Sequence, residues 1–177
     1  DTGEVIQQVR VPIAPEDNAG TIHDKLMMLG GKLVTETVDH ILDGTIHSIP
    51  QEEMADCSSL RPAPKIFKET CRLHWDQPTL SIHNLVRGLS PYPAAWSELS
   101  SPTGERITIK IFETAPAKGE TPLAAPGTLQ TDGKHYLRIA TADGWLELLQ
   151  LQLPGKRRLG IEELLRGFHP DESWRME

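Results

Sequence analysis

From Ala94 to Leu153 the chain breaks into short apolar runs separated by strong turn residues, and this rhythm constrains the fold more than any other feature. The runs are Ala94 to Leu99, Arg106 to Glu113, Gly127 to Leu129, His135 to Thr141 and Trp145 to Leu153. Between them stand Ser101-Pro102-Thr103-Gly104, Ala125-Pro126-Gly127, Asp132-Gly133 and Asp143-Gly144. An Asp-Gly pair flanked by apolar alternation favours a tight hairpin, because glycine takes positive φ without steric cost and aspartate bonds its own backbone. Five short strands at this spacing predict a small barrel of the OB type.

Helical patterns flank that region. Leu80, His83, Leu85 and Val86 follow helical spacing over Thr79 to Leu89, and Pro91 and Pro93 forbid continuation. A last short helix is expected over Gly160 to Arg166, followed by a frayed tail. Near the start, the β-branched run Glu4 to Ile13 reads as one strand. A long amphipathic helix follows, its stripe formed by Ile22, Leu26, Leu29, Leu33, Val34, Val38, Ile41 and Leu42. Thr21 and Asp24 suit its start, and Gly44 suits its end. Gly30-Gly31 within the stripe implies either a bend or a close packing partner. One strand and one helix cannot cover each other's apolar faces, so residues 1–45 read as the end of a larger domain. Residues 46–64, with Ile49-Pro50 and Arg61-Pro62-Ala63-Pro64, read as a semi-rigid linker before a β-rich unit spanning 65–177. The expected class is α+β.

Net charge is −7, which at first speaks against a nucleic-acid partner. The average hides a division. Residues 1–60 hold three basic and eleven acidic side chains, net −8, whereas residues 61–177 hold fifteen and fourteen, net +1. Only the second part is a candidate for touching phosphate. No apolar run reaches the length of a membrane-spanning helix, so no membrane partner is expected. Cys57 and Cys71 lack metal-ligand spacing and cannot form a disulfide framework, which favours a reduced cytosolic setting and no metal.

Catalytic motifs are scarce. No histidine pair has zinc spacing, and no nucleophile elbow, phosphate loop or dinucleotide fingerprint occurs. The compact basic cluster Lys156-Arg157-Arg158 follows Pro154-Gly155 in a turn, where it suits either phosphate contact or simple solvation. Lys65, Lys68 and Arg72 form a second basic patch. Trp75, beyond that patch, is either a core residue or a ligand contact. Asp1-Thr2-Gly3 resembles the loop of aspartic proteases, but the strand and long helix that follow do not fit that mostly β context.

Longer segments carry a family likeness. Ile82 to Trp96, reading IHNLVRGLSPYPAAW, resembles the IHNxIRGLSPWPGAW-like start of the C-terminal domain of methionyl-tRNA formyltransferases. Asp1 to Ile6, then Val11-Pro12-Ile13 and Gly20 to Leu26, resemble the end of that family's formyl-transferring domain. Lys65-Ile66-Phe67-Lys68-Glu69 with Trp75 is similar to its KIxKE…W stretch, and Leu149 to Arg157 to its closing LLxLQPxGKK-like segment. His74 stands where the family commonly has an acid, and Tyr92 where it commonly has tryptophan.

The resemblance implies formyl transfer from 10-formyltetrahydrofolate to the amino group of methionyl-initiator-tRNA, by a cytoplasmic enzyme that is a monomer when intact. In it, an α/β, Rossmann-like catalytic domain precedes an OB-like tRNA-binding domain. It places Asp1 at a catalytic aspartate that orients a histidine, and it assigns the catalytic Asn and His to upstream positions outside this sequence. The chain alone is therefore expected to be inactive. It also implies tRNA contacts at Lys65, Lys68, Lys156 and Arg157, with Arg158 beside them. Two other readings compete: a formyltransferase acting on nucleotide amino sugars, and a stand-alone OB-type nucleic-acid-binding module. The late basic turn disfavours the first, and the strand and helix within residues 1–42 disfavour the second.

Overall fold

Residues 3–54, 61–117 and 123–177 are described by the structure, a computed structural model. They fall into two units, Asp1–Lys65 and Ile66–Glu177. Asp1, Cys57 and part of the expected linker lie outside the described residues.

In the first unit, helix α1 spans Ala19–Leu42. Its N-cap is Asn18 and not Thr21, which corrects the sequence reading by three positions. The Thr21 N–H donates to Asn18 Oδ1 at 2.9 Å, and the Asn18 N–H donates to Thr21 Oγ1 at 3.0 Å, a reciprocal capping box. Asp17 braces this turn. Both of its oxygens accept from Lys25 Nζ, at 2.7 and 2.6 Å, and one accepts from the Ala14 N–H at 2.8 Å. The lysine contact first, and the backbone donor second, lower the Asp17 pKa to about 2. Gly30-Gly31 leaves the helix unbroken, and Gly44, at φ +67, ends it. A short helix α2 covers Gln51–Met54.

The predicted strand Glu4 to Ile13 does not form. Among the described residues only Val5 pairs, in an isolated bridge to Ile49. A strand needs a neighbour for its alternate N–H and C=O groups, and this unit supplies one bridge where a ladder was expected. No residue of α1 is buried, and Leu26, Met28, Val34, Val38 and Leu42 are exposed. The end of an α/β domain is thus not shown by the fold.

The second unit is a near-closed antiparallel barrel. Its strands are β1 (Ala95–Ser100), β2 (Arg106–Pro116), β3 (Leu129–Thr131), β4 (Leu137–Ala140), β5 (Trp145–Gln152), β6 (Leu159–Gly160) and β7 (Arg175–Met176). The sheet runs β3-β4-β5-β2-β1-β7, with β6 paired to β5. Asp132-Gly133 and Asp143-Gly144 make the β3–β4 and β4–β5 turns, as their chemistry predicts. Gly133 has φ +74, and Asp132 Oδ1 accepts from the backbone of Lys134 and His135 at 2.9 and 2.7 Å. Alternate residues point inward, so Leu99, Ile109, Ile111, Ile139, Leu146, Leu148 and Leu151 fill the interior.

Helix α3 covers Thr79–Leu89, as its spacing predicts, and packs mainly on β2 through Ile82, Val86 and Leu89. Its N-cap, Pro78, has no side-chain acceptor to offer. Asp143, from the β4–β5 turn, supplies it: Oδ1 accepts from the Thr79 N–H at 2.7 Å and from Thr79 Oγ1 at 2.8 Å. These donors hold the Asp143 carboxyl below the usual carboxylate range. Helix α4 (Ile161–Leu165) buries Ile161, Leu164 and Leu165 next to β5.

The expected frayed tail is instead the strand that closes the barrel. β7 pairs with β1 at Leu99↔Met176, and Thr128 bridges Arg175 at the far edge. Closure requires Gly127, whose φ is +85 and whose missing Cβ would stand 2.3 Å from the Met176 carbonyl oxygen. Trp75 is a core residue, 4% exposed. Its Nε1–H donates to Ser97 Oγ at 2.9 Å, and Ser97 Oγ–H donates to the Glu177 carbonyl at 2.7 Å.

Candidate nucleic-acid interface

The strand register joins the two basic patches that the sequence shows as separate. Trp96 on β1 stands opposite Lys110 on β2, and Lys110 stands opposite Gln152 on β5. Directly opposed residues share a sheet face, so these three form one row across the barrel's outer surface. A short 3₁₀ turn, Glu69–Cys71, precedes one end of the row. There the Trp96 Nε1–H donates to the Lys68 carbonyl at 2.8 Å, and the Leu73 N–H donates to the Trp96 carbonyl at 2.9 Å. That backbone docking sets Lys68 Nζ 5.5 Å and the Arg72 guanidinium 5.3 Å from the centre of the Trp96 ring. Such cation–π contacts hold the positive ends over the sheet.

At the other end, Gln152 Nε2–H donates to the Lys156 carbonyl at 2.8 Å and fixes the basic turn. Arg158 lies over the Phe112 ring, 4.4 Å from its centre, beside the β2 irregularity between Ile111 and Glu113. The result is a strip: Lys68 and Arg72, Trp96, Lys110, Gln152, then Lys156 and Arg158.

The cations of this region differ in what they are paired with. Arg72 lies 3.2 Å from Glu98, and Arg106 lies 3.8 Å from Glu98 and 3.2 Å from Glu177. Arg157, expected to contact phosphate, donates to Glu163 at the start of α4. Lys68, Lys110, Lys156 and Arg158 form no ion pair among the described residues. Lys65 is exposed at the end of the first unit. Lys110 is the residue the sequence reading missed. Its signal was the alternation in Arg106 to Phe112, which sends Thr108 and Lys110 outward, but only the register shows what they face.

Beside Trp96 lies an open groove of about 500 Å³, lined among others by Phe67, Tyr92, Lys68 and Lys110. Among the described residues no group of His, Cys, Asp and Glu could hold a metal ion, and no helix is long and apolar enough to cross a membrane.

Residues 65–169 match the family described as formyl transferase, C-terminal domain. The chain is 60% identical over 177 residues to a methionyl-tRNA formyltransferase of Bacteroides fragilis, covering 100% of this chain and 54% of that protein. It is 57% identical to the enzyme of the same name from Bacteroides thetaiotaomicron, covering 99% and 54%. It therefore spans about half the length of the curated relatives it matches. Among solved structures, a variant of HypX from Aquifex aeolicus superposes with a TM-score of 0.63 at 20% identity, over 97% of this chain and 30% of that one. HypX in complex with tetrahydrofolic acid gives 0.50 at 20% identity, over 79% and 24%. At these identities the likeness concerns the fold.

Proposed function

The chain belongs to the formyl transferase C-terminal domain family, and from that premise we propose that it is the tRNA-holding half of a methionyl-tRNA formyltransferase. The parent would transfer a formyl group from 10-formyltetrahydrofolate to methionyl-initiator-tRNA in the cytoplasm, acting as a monomer. In this reading residues 1–45 end the Rossmann-like catalytic domain, 46–64 are the linker, and 65–177 are an OB-like tRNA-binding domain. Asp1 takes the part of the aspartate that orients a catalytic histidine. Among the described residues the groove beside Trp96 has no carboxylate or carboxamide that could pair with a pterin's polar edge, so it takes no folate step. The chain by itself binds tRNA without formylating it.

The observation that carries the reading is the strip from Lys68 through Lys110 to Lys156 and Arg158, four cations that form no ion pair among the described residues, in a chain of net charge −7. Phosphate contacts position a nucleic acid without reading its sequence, and such a row suits the backbone of a folded RNA. Lys65 and Arg157 complete the proposed contacts, Arg157 once released from Glu163. The test is equilibrium binding of the 177-residue chain to methionyl-initiator-tRNA, with a nucleotide amino sugar as competitor. Salt-sensitive binding that the sugar nucleotide leaves unchanged supports the proposal. Displacement by the sugar nucleotide, or no tRNA binding at all, contradicts it.

A further inference from the structure

We infer that the groove beside Trp96 is a stacking site for an unpaired nucleotide of the bound RNA, an inference that rests on the RNA-binding reading above. Three observations converge there. The wall carries two exposed aromatic rings: Tyr92, 85% exposed, and Phe67, 56% exposed. A tyrosine ring this open at the rim of a groove presents a flat face that a partner can cover. The volume of about 500 Å³ falls in the range of about 300–1,000 Å³ usual for sites that take small molecules or parts of larger ones. Lys68, Lys110 and Thr108 supply the polar lining, and among the described residues no carboxylate lines the groove.

Aromatic walls alone would suit many apolar ligands. Two lysines with no balancing acid, in an acidic chain, select an anionic one. An unpaired nucleotide has both properties: a base with a π-face for Tyr92 and Phe67, and a phosphate for Lys68 and Lys110. A base inside a duplex has no free face, so the groove distinguishes unpaired from paired RNA. The strip does not, since it meets the backbone only. Lys68 and Lys110 belong to both features, which makes the groove a side pocket of the strip.

The test compares two labelled RNA hairpins by fluorescence anisotropy with the 177-residue chain, each closed by a non-nucleotide linker in place of a loop, one blunt and one carrying a four-nucleotide unpaired 3′ tail. The tailed hairpin is expected to bind about tenfold tighter, as one base–aromatic stack provides. Tyr92→Ala, at a site too exposed to disturb the core, is expected to abolish that preference and leave the blunt hairpin's affinity unchanged. Equal binding of both hairpins, or a preference that survives in both Tyr92→Ala and Phe67→Ala, overturns the inference and leaves the RNA-binding reading intact. Binding of neither hairpin at low salt overturns both. Self-association of the chain without RNA, lost in Tyr92→Ala, would show a polypeptide in the groove and also overturn the inference.

Discussion

Replacing Gly127 by alanine tests how the barrel is closed. Two costs arise at this position. An L-residue at φ +85 costs about 1–2 kcal/mol of backbone strain, partly offset by the reduced entropy of the unfolded chain. The second cost is local: the new methyl would lie 2.3 Å from the Met176 carbonyl oxygen, a backbone atom that cannot swing aside. β7 must retreat, which sacrifices the Met176 N–H bond to the Gly127 carbonyl at 2.9 Å and uncovers the Met176 side chain, 4% exposed. A hydrogen bond is worth about 1 kcal/mol and burial of such a side chain about 1.5–3 kcal/mol, so the total is about 3–5 kcal/mol. Gly104→Ala is the control, because its φ is +88 but nothing lies within 4 Å of the added methyl. It should cost only about 1 kcal/mol. Urea unfolding followed by tryptophan fluorescence reads the difference, since Trp75, Trp96, Trp145 and Trp174 all lie in the second unit. If Gly127→Ala were no less stable than Gly104→Ala, β7 would not close the barrel and the reasoning would fail.

Three further outcomes follow from the packing of the second unit. His83 Nδ1 lies 3.0 Å from Thr114 Oγ1, and burial first, then the Arg87 charge, lowers its pKa below 6.5. The neutral ring is thus favoured on folding: stability is complete above pH 6.5 and declines as pH falls through the folded pKa, and His83→Gln should flatten that decline in urea titrations at pH 7 and pH 5. Asp143→Ala removes the acceptor that caps α3, so the urea midpoint should fall at pH 7, with the gap narrowing in acid as the wild-type carboxylate is protonated; an unchanged midpoint at pH 7 would refute the cap. Glu163→Gln frees Arg157 and should tighten tRNA binding about two- to fivefold at low salt, the scale of one exposed ion pair; weaker binding would mean that Arg157 needs Glu163 to hold its place.

Local chemistry made much of this fold legible. Helix α3 appears at Thr79–Leu89 because its apolar spacing and the prolines beyond it are nearest-neighbour properties, and the two Asp-Gly turns form for the same reason. What the sequence concealed depends on partners far along the chain. β7 is two residues long and exists only because Gly127 lets Met176 approach, so no periodicity could announce it. The α1 cap was misplaced because Asn18 and Thr21 are both good caps, and the geometry assigns one as cap and the other as its reciprocal partner. Lys110 emerged only from the register that sets it between Trp96 and Gln152. Arg157 looked equivalent to its neighbours until α4 brought Glu163 against it. The family resemblance held at the level of the C-terminal domain, where residues 65–169 match.

The central claim is that the strip across β1, β2 and β5 is an RNA-backbone surface. Its most direct test is the salt dependence of tRNA affinity, measured for the wild-type chain and for Lys68→Ala/Lys110→Ala. The double variant removes two phosphate contacts, so the slope of log K against log salt should become shallower by roughly 1 for each, with weaker binding at low salt. An unchanged slope and affinity in a folded double variant would contradict the assignment.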